Sequence, residues 1–426
     1  MNSTILLISL FLFIIIGVPI PIAMGISCII IFLIGNYPFY LLPQILIEQA
    51  SSVTLLSVPF FMIAGGLMNE LGVTTRLFYF AKALVGHIRG GLAHVNVVAS
   101  MIFAGMSGSV VADIGGLGKI EMKFMTDAHF GKKVSAGITV ASSIIGPIIP
   151  PSIGFILYGI IAQVSIIRLF LAGIIPGILI GLSLMTTVYF KACKSPKDFP
   201  IEKRADFKTL CLTFKDAILV VMAPILIILG MTSGLVSPTE AGAGAAMYSI
   251  FVGFIYKEIS WIRIWRPIKE AMIQSAYAIT MVALAGVMGF LMTFENTPQL
   301  LAKAISGITN DPLLILLILD CFFLIIGCFM SATASLILLT PIFLPVIVRL
   351  GVNPIHFGVI IVYALHIGIA TPPVGIGLFM ISDIGKLKFE DAISGVLPYL
   401  FPLIISLLVF TCFPKLSLFL PSLLLD

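Results

Sequence analysis

The chain is 426 residues long; 60% of them are hydrophobic, 10% are charged, and the net charge is +5. Ordinary soluble domains carry about 25% charged residues, so the composition excludes that class and fits an all-α polytopic membrane protein. The six cysteines show no CxxC spacing, the five histidines form no HExxH, and no GxxxxGK[ST] or GxSxG string occurs. Disulfide, metal-site, ATP-hydrolysing and serine-nucleophile chemistry therefore lack sequence support, and neither an enzyme activity nor a cofactor is expected.

Residues 1–35 read as one long span kinked at Pro19 and Pro21, without the basic start and small-residue cleavage site of a removable leader. Residues 36–49 and 259–267 suit interfacial segments; the second carries Trp261, Arg263, Trp265 and Arg266 beside apolar residues. Each crossing of lipid needs about 20 apolar residues, and the apolar runs add up to about ten or eleven spans. Glu70, Glu240 and Glu295 each follow an apolar run and read as span-end residues. The polar connection 191–215 holds Lys191, Lys194, Lys197, Lys203, Arg204 and Lys208. The positive-inside rule places it in the cytoplasm. No aromatic–basic interleaving accompanies it, so no nucleic-acid partner is expected.

That connection divides the chain into a first repeat, 1–190, and a second, 216–426. A shift of 222 positions lays Gly105 on Gly327, Ser109 on Ser331, Gly146 on Gly368 and Pro150-Pro151 on Pro372-Pro373. Glycines and both prolines coinciding at one offset imply two structural repeats, read as inverted. Each repeat contains a glycine- and serine-rich stretch too polar for a simple span, predicted as a re-entrant hairpin at about 105–130 and about 327–348. A broken helix follows each hairpin, at about 134–165 and about 355–383. Proline removes a backbone donor and clashes with the preceding turn, so the helix must open at each double proline. An opening at membrane depth leaves backbone groups unpaired unless protein, ions or water meet them.

Such a half-helix offers N–H groups and a positive dipole end to an anion, and carbonyl oxygens to a cation. A first sodium site is expected from Ser107 and Ser109 with carbonyls around Gly146, Ile149 and Pro151. A second is expected from Gly327 and the turn Ser331–Thr333 with Gly368, Thr371 and Pro373. Ser107, Asp113, Ser152, Ser331 and Gly375 are the residues expected to meet an acidic substrate. Each hydroxyl has a plainer reading, a hydrogen bond back to a helix carbonyl. Asp113 is either a functional intramembrane carboxylate or an interfacial group paired with Lys119 or capping a half-helix, and Ser152 either binds substrate or caps the following helix. His366, close to Gly368, is the one histidine retained as a candidate.

The strings GMSGSVVADIGGLGKIEM, GPIIPPSIGFILYG, LLTPIFLP and TPPVGIGLF resemble the large membrane subunit of tripartite ATP-independent periplasmic (TRAP) transporters, over nearly the whole chain. The resemblance implies a multi-pass protein of the bacterial inner membrane that moves organic anions inward on a sodium gradient. It implies elevator motion of a transport domain, embedded in membrane lipid, against a scaffold. It also implies two partners, a small four-helix membrane subunit and a periplasmic substrate-binding protein. Because Met1 opens directly into the large-subunit pattern, the small subunit is expected as a separate chain. Many family members carry aspartate where Ser331 stands and asparagine where Gly377 stands. That departure turns the expectation from a C4-dicarboxylate toward a bulkier acid such as a sialic acid. The rival readings are a stand-alone anion transporter needing no binding protein and, less well supported by motifs, a channel or intramembrane enzyme.

Overall fold

The structure is a computed structural model that describes residues 2–297, 300, 309 and 311–425; no strand occurs among them. The chain opens with α1 (Asn2–Ile15) and α2 (Ile20–Ile34). These are two helices packed on each other, not the single kinked span expected from the sequence. Gly17 takes φ +92°, a turn that an apolar pattern does not reveal, and Pro21 lies in the first turn of α2. Next come α3 (Leu41–Ala50), none of whose residues is buried, α4 (Ser57–Glu70) and α5 (Val73–Val85).

The first hairpin follows: α6 (Leu92–Ser107) runs in, and α7 (Val110–Gly115) with α8 (Leu117–Asp127) runs out. The first broken helix is α9 (Lys132–Ser143) and α10 (Ile153–Ala162), and the long α11 (Ile166–Lys194) closes the repeat. Helix α11 continues through Lys194 and α12 (Phe207–Thr232) starts at Phe207, so both ends of the polar connection 191–215 are helical. Asp206 caps α12, accepting from the Thr209 backbone N–H at 3.2 Å.

The second half contains α13 (Pro238–Ile255), α14 (Trp261–Phe294), α15 (Pro312–Phe329), α16 (Ala332–Arg349), α17 (Pro354–Gly368), α18 (Ile376–Gly385), α19 (Phe389–Cys412) and α20 (Lys415–Leu425). Moving residues 110–127 forward by 222 lands on 332–349, the span of α16, and the breaks coincide as well. Helices α15 and α16 form the second hairpin, and α17 with α18 forms the second broken helix. The fold is therefore two inverted repeats of hairpins and broken helices. Both hairpins reach further back than their polar tips suggest, because the entering arms, from Leu92 and Pro312, read as ordinary apolar helix.

Among the described residues, seven helical segments are long and apolar enough to cross a bilayer. Shorter apolar helices of 10–17 residues, α2, α6, α10, α17 and α18 among them, hold further apolar runs counted in the sequence. The span-end glutamates sit at helix ends. Glu240 completes a capping box with Ser237, whose N–H donates to Glu240 Oε2 at 2.7 Å. Glu295 takes hydrogen bonds from Tyr37 and Asn2.

The core lies where the repeats interlock. Helix α17 is buried all round from His356 to Gly368, as a helix inside a bundle must be. By contrast, α12 leaves Leu212, Phe214, Ile225, Leu226 and Leu229 exposed, a lipid-facing pattern. Apolar surface gives helices no drive to associate in lipid, so close backbone packing must supply it. Gly368 lies directly on the backbone of Gly327, and Gly137 of α9 on that of Gly395 in α19. A methyl group on Gly368 would strike Gly327. We predict that Gly368→Ala destabilises the protein by about 1–3 kcal/mol, seen as a lower unfolding temperature of the detergent-solubilised chain.

Candidate functional site

The first break is organised by one carboxylate. Helix α6 ends at Ser107, and the chain turns through Gly108 at φ +57°. A Cβ there would meet the Pro151 carbonyl, so only glycine fits both the turn and the contact. The Ser107 hydroxyl donates to the Asp113 carboxyl, and both side chains are buried. Asp113 sits in the first turn of α7, where the helix dipole favours negative charge. Its Oδ2 has no hydrogen-bond partner and points at Gly146, whose added Cβ would lie 2.9 Å away. A buried carboxylate oxygen thus faces the opened backbone of residues 144–152. Lys119 is exposed, so the interfacial pairing considered for Asp113 is replaced by burial against Ser107.

Ser152 closes the break. Its Oγ accepts from the Phe155 backbone N–H at 3.1 Å and donates to the Pro147 carbonyl. Fully buried, it caps α10 and clamps the loop, which leaves its hydroxyl engaged within the protein. Ile149 is half-buried, Pro151 is buried, and Ser109 is extended and half-buried at the start of α7.

The second break is more open. Gly327 contacts the Leu365 carbonyl and Gly368, and the Gly375 N–H, at φ +52°, donates to the Cys328 carbonyl at 3.1 Å. Hairpin and broken helix are thereby joined backbone to backbone. The Thr371 hydroxyl donates back to the Ile367 carbonyl at 2.9 Å, the plainer reading of that residue, yet its oxygen lone pairs remain on the break. Ser331 caps α16 by accepting from the Ala334 N–H at 3.3 Å. Ser331 and Pro373 are exposed and Thr333 is half-buried, so this tip is accessible where the first is closed.

The repeats bring the two breaks together. Helix α10 packs on α16 and α17, and α18 packs on α7, α8 and α9. Gly154 abuts Val362 and His366, while Gly377 abuts Ile114 beside Asp113. The His366 ring bonds the Val362 carbonyl at 2.6 Å, a satisfied core histidine. The Tyr158 hydroxyl donates to the Pro354 carbonyl at 2.6 Å, tying the repeats further.

Sequence reasoning missed a buried polar network beside Asp113. Asn96 Nδ2 donates to Thr139 Oγ1 at 2.7 Å, Ser142 Oγ donates to Asn96 Oδ1 at 2.6 Å, and Ser100 Oγ donates to Ser142 Oγ at 3.0 Å. Glu121, also buried, lies within reach of the Thr139 hydroxyl, and its Oε1 has no partner. The available signal was spacing: Asn96 with Ser100, and Thr139 with Ser142, place polar groups on one helix face at i,i+4 and i,i+3.

Two broken helices and two hairpins around a buried carboxylate define a secondary-transporter class of membrane protein. The description "Tripartite ATP-independent periplasmic transporter, DctM component" matches residues 7–416, and the chain belongs to that family. It is 42% identical, over 90% of its own length and 89% of the other's, to the sialic acid TRAP transporter large permease protein SiaM of Vibrio cholerae. It is 40% identical over 89% of its length to the sialic acid TRAP transporter permease protein SiaT of Haemophilus influenzae, of which it spans 62%. The crystal structure of the Alcanivorax borkumensis YdaH transporter shares the fold at TM-score 0.61 and 15% identity, covering 88% of this chain and 87% of that one.

Removing a cap oxygen typically costs about 1 kcal/mol. Ser152→Ala should therefore lower the unfolding temperature of the purified chain measurably, and an unchanged temperature would remove Ser152 from the role of clamp.

Proposed function

We propose that this chain is the membrane-spanning carrier of a sodium-coupled uptake system for a carboxylated solute. A periplasmic binding protein delivers the solute, and a small membrane subunit completes the complex in a bacterial inner membrane. The observation that carries this reading is the unpartnered Asp113 oxygen facing the opened backbone at Gly146. A buried charge without a cation is expensive in a membrane interior, and such groups mark ion pathways. Sodium is a hard cation that takes carboxylate, hydroxyl and carbonyl oxygens, which is the donor set of Ser107, Asp113 and the loop around Gly146, Ile149 and Pro151.

The second sodium position uses the Gly327 and Gly368 carbonyl region with Thr371, Thr333 and Pro373. The solute carboxylate is met on the accessible side, by the α16 N-terminus at Ser331, beside the turn at Gly375. Cation binding at the break draws hairpin and broken helix together, because one set of oxygens belongs to both. The unit of hairpins and broken helices then carries ion and solute across against the remaining helices, an elevator step. The names of both relatives make a sialic acid the first solute to test, ahead of a dicarboxylate.

The test is sodium-driven uptake of sialic acid into proteoliposomes holding this chain and the small subunit, with binding protein outside. Hydrogen bonds to charged groups contribute about 1.5–3 kcal/mol. Ser107→Ala should thus raise the sodium concentration for half-maximal uptake at least tenfold, and Thr371→Ala should raise it less. Wild-type sodium dependence in both variants would defeat the assigned sites, and uptake without binding protein would favour a stand-alone carrier.

A further inference from the structure

The second repeat buries a carboxyl that none of the sites above uses. Asp320 lies midway along α15 and is 1% exposed, and its Oδ1 has no hydrogen-bond partner. One turn further on, Phe323 packs against Phe343 of α16 and Phe357 of α17, with ring centroids 5.7 and 6.1 Å apart. The 222-residue shift places Val98 at the position of Asp320 in the first repeat, so the shared backbone accepts an apolar side chain there. Replacing buried ionic groups by well-packed apolar ones is often neutral or stabilising. An ionisable group at membrane depth is costly and usually functional. Asp320 therefore calls for a chemical account.

The hydrogens around Asp320 can be counted. Its Oδ2 lies 2.7 Å from Thr411 Oγ1, which lies 3.0 Å from the Leu407 carbonyl one turn back in α19. A threonine hydroxyl has a single hydrogen to give. If that hydrogen goes to Leu407, the usual back-bond of a hydroxyl on a helix, Oδ2 must supply the other one, and Asp320 is a neutral acid. If it goes to an ionised Asp320, a buried charge rests on one hydroxyl and one bare oxygen. No lysine or arginine is buried with it among the described residues. His356 of α17 is no cation either. The Ser417 hydroxyl donates to the Pro414 carbonyl at 3.0 Å, so His356 Nδ1 donates to Ser417 Oγ at 2.8 Å. Its Nε2, buried without a partner, then keeps a lone pair, since an unpaired N–H there would be a bare buried charge. The other titratable groups on the packed helices are engaged or exposed. On α17 the Tyr363 hydroxyl meets Ser406 at 2.6 Å, and the His366 ring meets the Val362 carbonyl at 2.6 Å. On α19 Asp391 pairs with Lys133, Lys191 lies over the Tyr399 ring, and Glu390 and Cys412 are exposed. Arg349 of α16, Lys415 of α20, and Asp311 and Cys321 beside or on α15 are exposed, and the Cys328 thiol bonds the Leu324 carbonyl. Only a proton balances the Asp320 charge and gives each hydroxyl hydrogen one acceptor.

We propose that Asp320 is a proton-binding site of the second repeat, occupied in the working protein, and that loss of its proton switches uptake off. Protonated, Asp320 gives its hydrogen to Thr411 and ties α15 to α19 with no charge inside the apolar packing. When the proton passes to water at higher pH, the carboxylate takes the Thr411 hydrogen from Leu407. A lone negative charge is then left on the arm whose Gly327 lies on Gly368 of α17, and that contact holds the second break. The neutral acid is the working form, so uptake is full below the titration and falls by up to about tenfold per pH unit above it. The uptake readout rests on the carrier reading given above; the proton site itself does not.

The test is infrared difference spectroscopy of the full chain in lipid nanodiscs from pH 6 to 9, with sodium-driven uptake into proteoliposomes measured over the same range. Subtracting Asp320→Asn from wild type at pH 6 should leave the carbonyl band of a protonated carboxyl, and that band should fade as pH rises. Thr411→Val removes the acceptor of the Asp320 hydrogen and should move the band to higher frequency, a readout that survives if the asparagine variant fails to fold. Wild-type uptake should fall as the band fades, whereas Asp320→Asn, neutral at every pH, should give a flat profile. A difference spectrum with no protonated-carboxyl band at pH 6 overturns the inference, as does a Thr411→Val band at the wild-type frequency. A band that persists to pH 9, or a wild-type fall in uptake kept by Asp320→Asn, overturns the switch. Absence of uptake by wild type at every pH overturns the carrier reading, and the infrared bands then decide the proton site by themselves.

Discussion

The structure depends on backbone that cannot be left bare inside a membrane. Each double-proline loop opens a helix within apolar sequence, and every freed N–H and C=O must be met by protein, ligand or water. The chain meets many of them itself. Ser152 takes the Phe155 N–H, Gly375 gives its N–H to Cys328, and Gly377 gives its own to Ile369. What it leaves open is an acidic oxygen of Asp113 against the Gly146 turn, the position proposed above for an ion.

Satisfying the loops also fixes the architecture. A hairpin tip must lie against each break, which requires glycine at the contact, and Gly108 on Pro151 and Gly327 on Gly368 provide it. Each second half-helix then packs against the opposite repeat, α10 on α16 and α17, and α18 on α7, α8 and α9. The two repeats therefore share one interior. The repeats have nonetheless diverged in chemistry. The first holds buried carboxyls, an amide and hydroxyls; the second fills the same positions with Ile318, Phe322, Phe343 and Ile361 and keeps an accessible tip at Ser331. One shape thus holds a closed polar interior in one repeat and an accessible hairpin tip in the other.

Relatives named for sialic acid transport, and the solved fold of the YdaH transporter, agree with the family and architecture. The proposed coupling to sodium rests on this chain's own oxygens. The sodium reading of Asp113 is a proposal about charge balance at a buried carboxylate, and it yields to measurement of ion binding without knowledge of the solute.

The sequence alone determined the class, the two breaks and their neighbours. Proline acts locally, on its own N–H and the preceding turn, so Pro150-Pro151 and Pro372-Pro373 announce themselves, and a fixed offset between them betrays the repeat. It also marked Ser107 and Asp113, because polar residues are conspicuous in apolar sequence. Only the tertiary structure decided which hydroxyls are engaged. Ser152 turns inward as a clamp, Thr371 bonds back to its own helix, and Asp113 chooses Ser107 over Lys119. Only the structure split residues 1–35 into two helices at Gly17, and only the structure joined Asn96 to Thr139 and Ser142 across 43 and 46 positions. The reason is the same throughout: backbone preference is written residue by residue, whereas the partner of a buried polar group is set by whichever helix the fold brings alongside.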